Sequence, residues 1–100
     1  MKYQELESLV IAWAKEKGIL DKGNPSAQCD KTLEEVIELS TALFNNNKAE
    51  VIDALGDILV TIIIQAEMQG LSLTECLESA YNVIAKRTGV MVNGQFVKDE

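Results

Sequence analysis

The chain contains no histidine, and only two cysteines, one proline and five aromatic residues in 100. With no imidazole, and with cysteines that stand apart from its acidic clusters, it argues against zinc and leaves oxygen ligands to hold any metal. Cys29 and Cys76 are too few for a disulfide framework and too far apart for a Cys-x-x-Cys site, so both read as reduced, partly buried small hydrophobes. Aromatics are scarce whereas 47% of residues are apolar, and that mass of Leu, Ile, Val and Ala suits packed helices better than a small β sandwich. Positive charge is short as well: nine Lys and Arg against sixteen Asp and Glu give a net charge of −7, which argues against a duplex nucleic-acid surface. A nucleotide that brings its own divalent cation is compatible with that balance. The longest apolar run, Ile58 to Ile64, is interrupted by Thr61 and falls far below the ~20 residues needed to span a bilayer. Charges follow Met1 too soon for a signal peptide, so the expectation is a soluble, cytoplasmic protein without a membrane partner.

At this length a single domain, 1–100, is expected, near the size at which core burial alone is marginal. A homo-oligomer, either a dimer or a tetramer built as a dimer of dimers, is the expected remedy. Leu6, Leu9, Val10 and Trp13 recur at helical spacing and predict a helix over residues 3–17 with that stripe in the core. Gly18 to Ser26 holds two glycines, Asn24 and the proline, and reads as an ordered loop. Ser26 stands as N-cap of a second helix from about Ala27 to Phe44, whose apolar stripe is Leu33, Val36, Ile37, Leu43 and Phe44. Asn45-Asn46-Asn47 favours a turn. A third helix follows from about Lys48 to Gln69; its β-branched half could locally be a strand, but the helix formers from Gln65 to Gln69 favour helix. Being apolar on all sides there, it predicts a subunit interface. Ser72-Leu73-Thr74-Glu75 is a capping-box pattern for a fourth helix running to about Arg87, and Asn93-Gly94 between short apolar runs predicts a β-hairpin. The expected fold is all-α, a four-helix bundle-like arrangement with a short C-terminal β-hairpin.

Two acidic clusters carry the chemistry. On the second helix Glu34, Glu35 and Glu38 share one broad face, Glu35 and Glu38 about 60° apart and Glu34 and Glu38 about 40°. On the third, Asp53 and Asp57 are about 40° apart and Glu50, about 20° beyond Asp57, lies on the same narrow stripe. Exposed like-charge pairs at these spacings repel by ~0.2–0.5 kcal/mol each, and a buried group costs far more without a cation. The plain alternative is a solvated helix face. For Glu34, Glu35 and Glu38 it is a strong alternative, because their arc lies opposite the Leu33, Val36, Ile37, Phe44 stripe. It is weaker for Asp57, embedded in Ala54-Leu55-Gly56-Asp57-Ile58-Leu59-Val60, where a carboxylate is expensive without a partner. An all-oxygen site suits Mg²⁺, with Mn²⁺ also possible, and Mg²⁺ commonly binds through a few carboxylates plus substrate phosphates. The short asparagine turn implies antiparallel helices that bring the two clusters face to face.

At these residues the chain resembles the MazG-like nucleoside triphosphate pyrophosphohydrolases of the all-α NTP pyrophosphatase superfamily, marked by Glu-x-x-Glu on one helix and Glu-x-x-Asp on the next. Lys31-Thr32-Leu33-Glu34-Glu35-Val36-Ile37-Glu38-Leu39 resembles the first half, and Ile52-Asp53-Ala54-Leu55-Gly56-Asp57-Ile58-Leu59-Val60 the second. The resemblance implies metal ligands at Glu35, Glu38 and Asp57. It departs at Ala54, where the family carries a glutamate; Asp53, or Glu50 through its own Glu50-x-x-Asp53 spacing, could substitute.

The implied activity is hydrolysis of the α,β phosphoanhydride of an NTP or dNTP to a monophosphate and pyrophosphate, with Glu34 or Glu35 taking the proton of the attacking water. Lys31, one turn before Glu35, and Lys86 and Arg87 on the fourth helix are candidates for the phosphates, each equally readable as an ordinary surface cation. Asn82 matches an asparagine of the MazG-like last core helix, and Gln28 is a further substrate candidate. Trp13 could stack on a base, although its place in the Leu6, Leu9, Val10 stripe favours the core. The alternative is a catalytically inactive helical interaction module, phage-encoded or antitoxin-like, that keeps the fold, and Ala54 is the residue that supports it.

Overall fold

The computed structural model describes all 100 residues. Helix α1, Tyr3–Glu16, ends where Gly18 turns left-handed at φ 78. The segment expected as a loop instead contains a single helical turn, α2, Ile19–Lys22, closed by bonds from the Lys22 and Gly23 amides to the Gly18 and Ile19 carbonyls. Helix α3, Pro25–Phe44, starts ahead of the Ser26 signal because Asn24 is the better-placed cap: its Oδ1 accepts from the Ala27 amide at 2.8 Å, and Pro25 takes the first helical position, where a missing N–H costs nothing. Asn46, at φ 51, breaks the chain, and the Asn47 side chain caps α4, Lys48–Met68, by accepting from the Glu50 amide.

The β-branched run continues as helix through the middle of α4. Ser72 Oγ accepts from the Glu75 amide to start α5, Leu73–Ile84. That helix stops three residues short of Arg87, where bonds from Lys86 to Val83 and from Arg87 to Ile84 tighten the chain into turns. The hairpin pairs β1, Gly89–Val92, with β2, Gln95–Lys98, in antiparallel register around Asn93 and Gly94. Both turn residues have positive φ, as a two-residue turn matched to the strand twist requires.

The α3–α4 pair is the frame of the molecule, with α1 and α2 packed on α4. Gln28, Thr32, Glu35, Leu39 and Ala42 form the inward edge of α3, and Val51, Ala54, Ile58, Thr61, Gln65 and Met68 that of α4, each spaced alternately three and four residues apart. Antiparallel register follows from the contacts of Gln65 with Pro25 and of Thr61 with Gln28. The buried apolar residues are small or aliphatic: Ala14, Ala42, Ala54, Ile63, Ile64 and Ala66. Helix α5 touches α4 alone, and the hairpin strands pair only with each other. The radius of gyration, 15.9 Å, accordingly exceeds the ~13 Å of a compact 100-residue domain.

Several expected faces are reversed. Leu6, Leu9 and Trp13 of α1 are exposed, while Ala14 and the half-buried Val10 and Ile11 turn inward. The whole predicted α3 stripe lies on the outside, with Phe44 87% exposed. On α4 the inner side is buried but Ile52, Leu55, Leu59 and Ile62 are not. Both cysteines are free and exposed rather than partly buried. No helix is long and apolar enough to cross a membrane.

Candidate active site and metal centre

Glu35 and Glu38 of α3 and Asp57 of α4 converge, with carboxylate oxygens within 4.8 Å of one another. Glu35 occupies an inward position of α3, so its carboxylate is directed at α4 and is only 9% exposed; its Oε2 is buried without a hydrogen-bond partner. Glu38 and Asp57 stand exposed at the rim. The neighbouring Glu38 carboxyl, burial, and the negative charges of Glu38 and Asp57 raise the Glu35 pKa above its ordinary 4.5, against a smaller opposing pull from Lys31. A buried carboxylate oxygen with no donor is costly. Three converging carboxylates with one orphaned oxygen fit a hard divalent cation, which would satisfy that atom and offset the crowded charge.

Asp57 borders three hollows, one of them an apolar groove that it shares with Leu6, Leu9, Val10, Trp13 and Val60, and two with other carboxylates. The first of these two is a cleft of about 410 Å³ bordered by Glu38, Glu50, Asp53, Ala54 and Asp57, with Ile37 and Thr41. Asp53 and Glu50, the rival substitutes for the glutamate missing at Ala54, both line this cleft and both lie outside the converging trio. The second is a cavity of about 240 Å³ that Glu35, Asp57, Lys31 and Gln28 share with apolar side chains.

Gln28 is 8% exposed and donates Nε2 to the Thr61 carbonyl at 3.1 Å. Lys31 Nζ donates to Glu34 Oε2 at 3.0 Å, an exposed pair that holds the Lys31 pKa above its usual value, the Glu34 hydrogen bond contributing most. Glu34 thus faces Lys31 and is not part of the trio. Trp13, 47% exposed, lines the smaller cavity rather than the core, because α1 packs through Ala14, one residue on. Asn82, Lys86 and Arg87 are exposed on or just beyond α5, away from all three hollows within one chain. Thr61 escaped sequence reading as a site residue, yet its polarity inside the run Ile58 to Ile64, four residues after Asp57, was the available signal.

A family model described as phosphoribosyl-ATP pyrophosphohydrolase matches residues 11–82. The chain belongs to that family. Its place is within the MazG-like all-α NTP pyrophosphatase superfamily, as the acidic motifs imply. The matched segment of this pyrophosphohydrolase-family chain holds all of α2, α3 and α4 and every residue bordering the cleft and the cavity. No curated protein and no solved structure matches the chain.

Proposed function

We propose that the protein hydrolyses the α,β phosphoanhydride of an NTP or dNTP, releasing a nucleoside monophosphate and pyrophosphate. The observation that carries this reading is the buried, unpartnered Oε2 of Glu35 in a converging trio of carboxylates, inside a pyrophosphohydrolase-family chain. Glu35, Glu38 and Asp57 would hold Mg²⁺, or Mn²⁺ in its place, with Asp53 as fourth ligand or Glu50 instead. The bound cation supplies positive charge for the phosphate oxygens and makes a nearby water a better nucleophile.

The chain's own groups do the rest. Lys31 turns from Glu34 towards the phosphates and binds them. Glu34, outside the trio, or Glu35, whose proton affinity is raised, accepts the water's proton. Gln28 contributes to substrate binding from the smaller cavity. The exposed apolar faces of α3, α4 and α5 pack against further copies in a homodimer or a dimer of dimers, so that Asn82, Lys86 and Arg87 of a neighbouring α5 complete the phosphate site.

Incubating the protein with each NTP and dNTP plus Mg²⁺ and assaying pyrophosphate and monophosphate tests the proposal. Release of both from at least one nucleotide, abolished by chelation, is the expected result. Ala54 favours a second reading, an inactive interaction module; no release from any nucleotide, with tight binding to a protein partner, would establish it in place of the enzyme.

A further inference from the structure

We infer that Thr61 is a positioning residue: through Thr32, its buried hydroxyl fixes α4 against α3 at the level where Asp57 must meet Glu35. The inference rests on the proposed cation site and deepens it. Three side-chain hydrogen bonds join α3 to α4, and all lie to one side of the carboxylate trio. Gln65 donates Nε2 to the Pro25 carbonyl at 2.9 Å, Gln28 donates to the Thr61 carbonyl, and Thr61 Oγ1 lies 2.9 Å from Thr32 Oγ1. To the other side, towards the asparagine turn, the buried residues of the pair are Ala42 and Ala54. Apolar contact is non-directional and tolerates sliding, whereas a hydrogen bond fixes a distance and an angle. The Thr32 to Thr61 bond is also the nearest of the three to the trio. Thr32 stands three residues before Glu35 and Thr61 four after Asp57, about one helical turn in each case.

Thr61 is 5% exposed and is the only polar residue from Ile58 to Ile64. Its one hydroxyl hydrogen goes to the Ile58 carbonyl at 2.7 Å, so towards Thr32 it accepts and Thr32 donates. The alternative acceptor for Thr32, the Gln28 carbonyl of its own helix, is farther, at 3.2 Å. Valine would fill the place of Thr61 among Ile and Val neighbours without the cost of burying a hydroxyl. What the hydroxyl adds is a fixed address along α3. Sliding α4 by one residue would move Asp57 by about 1.5 Å, whereas a metal site needs its ligands held to within about 0.5 Å. Glu35 depends on that address, because no group of the protein bonds its buried Oε2 and the register of the helices must place it.

The test is calorimetric titration of Mn²⁺ into metal-free protein, with the melting temperature of each variant measured alongside. Thr61→Val should raise the Mn²⁺ Kd at least about tenfold. Its melting temperature should stay within about 4 °C of the wild type, because Thr32 still has the Gln28 carbonyl and no buried donor is orphaned. Thr61→Ser keeps the hydroxyl and should bind Mn²⁺ within about twofold of the wild type. Thr32→Val should match Thr61→Val, and the double variant should bind no more weakly than either, since all three lack the same bond. Wild-type affinity in Thr61→Val, affinity in Thr61→Ser as poor as in Thr61→Val, or additive losses in the double variant would overturn the positioning role and leave the cation site standing. Loss of affinity together with a larger fall in melting temperature would make Thr61 merely structural. Should Thr61→Val fail to fold, Thr32→Val against Thr61→Ser decides by the same criteria. Absence of Mn²⁺ binding by the wild-type protein would remove the cation site and the inference together.

Discussion

Helix α3 presents two faces whose chemistry is the reverse of an ordinary surface helix. Its inward edge carries Gln28, Thr32 and the buried Glu35, while Leu33, Val36, Ile37, Leu43 and Phe44 face outward. A helix in a water-soluble monomer places such a stripe in the core and its acids in solvent. The contrast teaches that each face is matched to something beyond a single chain. An inward carboxylate with an orphaned oxygen calls for a cation, and an outward apolar stripe calls for another protein surface.

Breaking the inward face should have the largest effect. Asp57→Ala or Glu38→Ala should lower pyrophosphate release at least about a hundredfold while leaving a folded oligomer with an unchanged or higher melting temperature, because a like-charge cluster is relieved. Unfolding of either variant, seen by circular dichroism, would make the carboxylates structural. The outward face is broken by Val36→Glu together with Ile37→Glu. Light scattering should then show a smaller assembly, whereas an unaltered mass would mean that solvent covers this stripe.

Two smaller effects sharpen the inward side. Asp53→Ala should weaken Mg²⁺ binding by about tenfold if Asp53 replaces the glutamate missing at Ala54. An unaffected affinity, measured by calorimetry, moves the role to Glu50, which lines the same cleft. The last effect is on pH. Because the Glu35 pKa is raised in the folded chain, the fold binds that proton more tightly than the unfolded chain does. Stability from this group is therefore greatest below the ordinary carboxyl value of 4.5 and is lost as pH rises through the raised one. Metal-free protein should melt higher as pH is lowered from neutral towards the ordinary carboxyl range, and Glu35→Gln should remove that gain.

Much of the frame was legible because its signals are local. The Asn45 to Asn47 break, the span of α4 and the Asn93-Gly94 turn each depend on a few adjacent residues. So does the spacing that singled out Glu35, Glu38 and Asp57, the three residues whose oxygens converge. Local competition explains the misses at α2 and at the start of α3, where a Gly18 turn and the Asn24 cap outweighed the loop and Ser26 signals.

The side of each helix that faces inward was not legible. Periodicity identifies an apolar stripe but assumes that the core of the same chain receives it. Here α1 and α3 approach α4 through Ala14, Ala42 and polar residues, since small side chains permit close helix contact, and the larger apolar residues remain outside. Trp13 and Thr61 became visible as neighbours of Asp57 only once those faces were known.

The cation proposed for the inward face of α3 is held through Glu35. Calorimetric titration of Mn²⁺ into the metal-free protein and into Glu35→Gln tests it most directly. Saturable binding by the former with a rise in melting temperature, and loss of both in Glu35→Gln, is the predicted result. Absence of binding, or equal affinity in the two proteins, would contradict it.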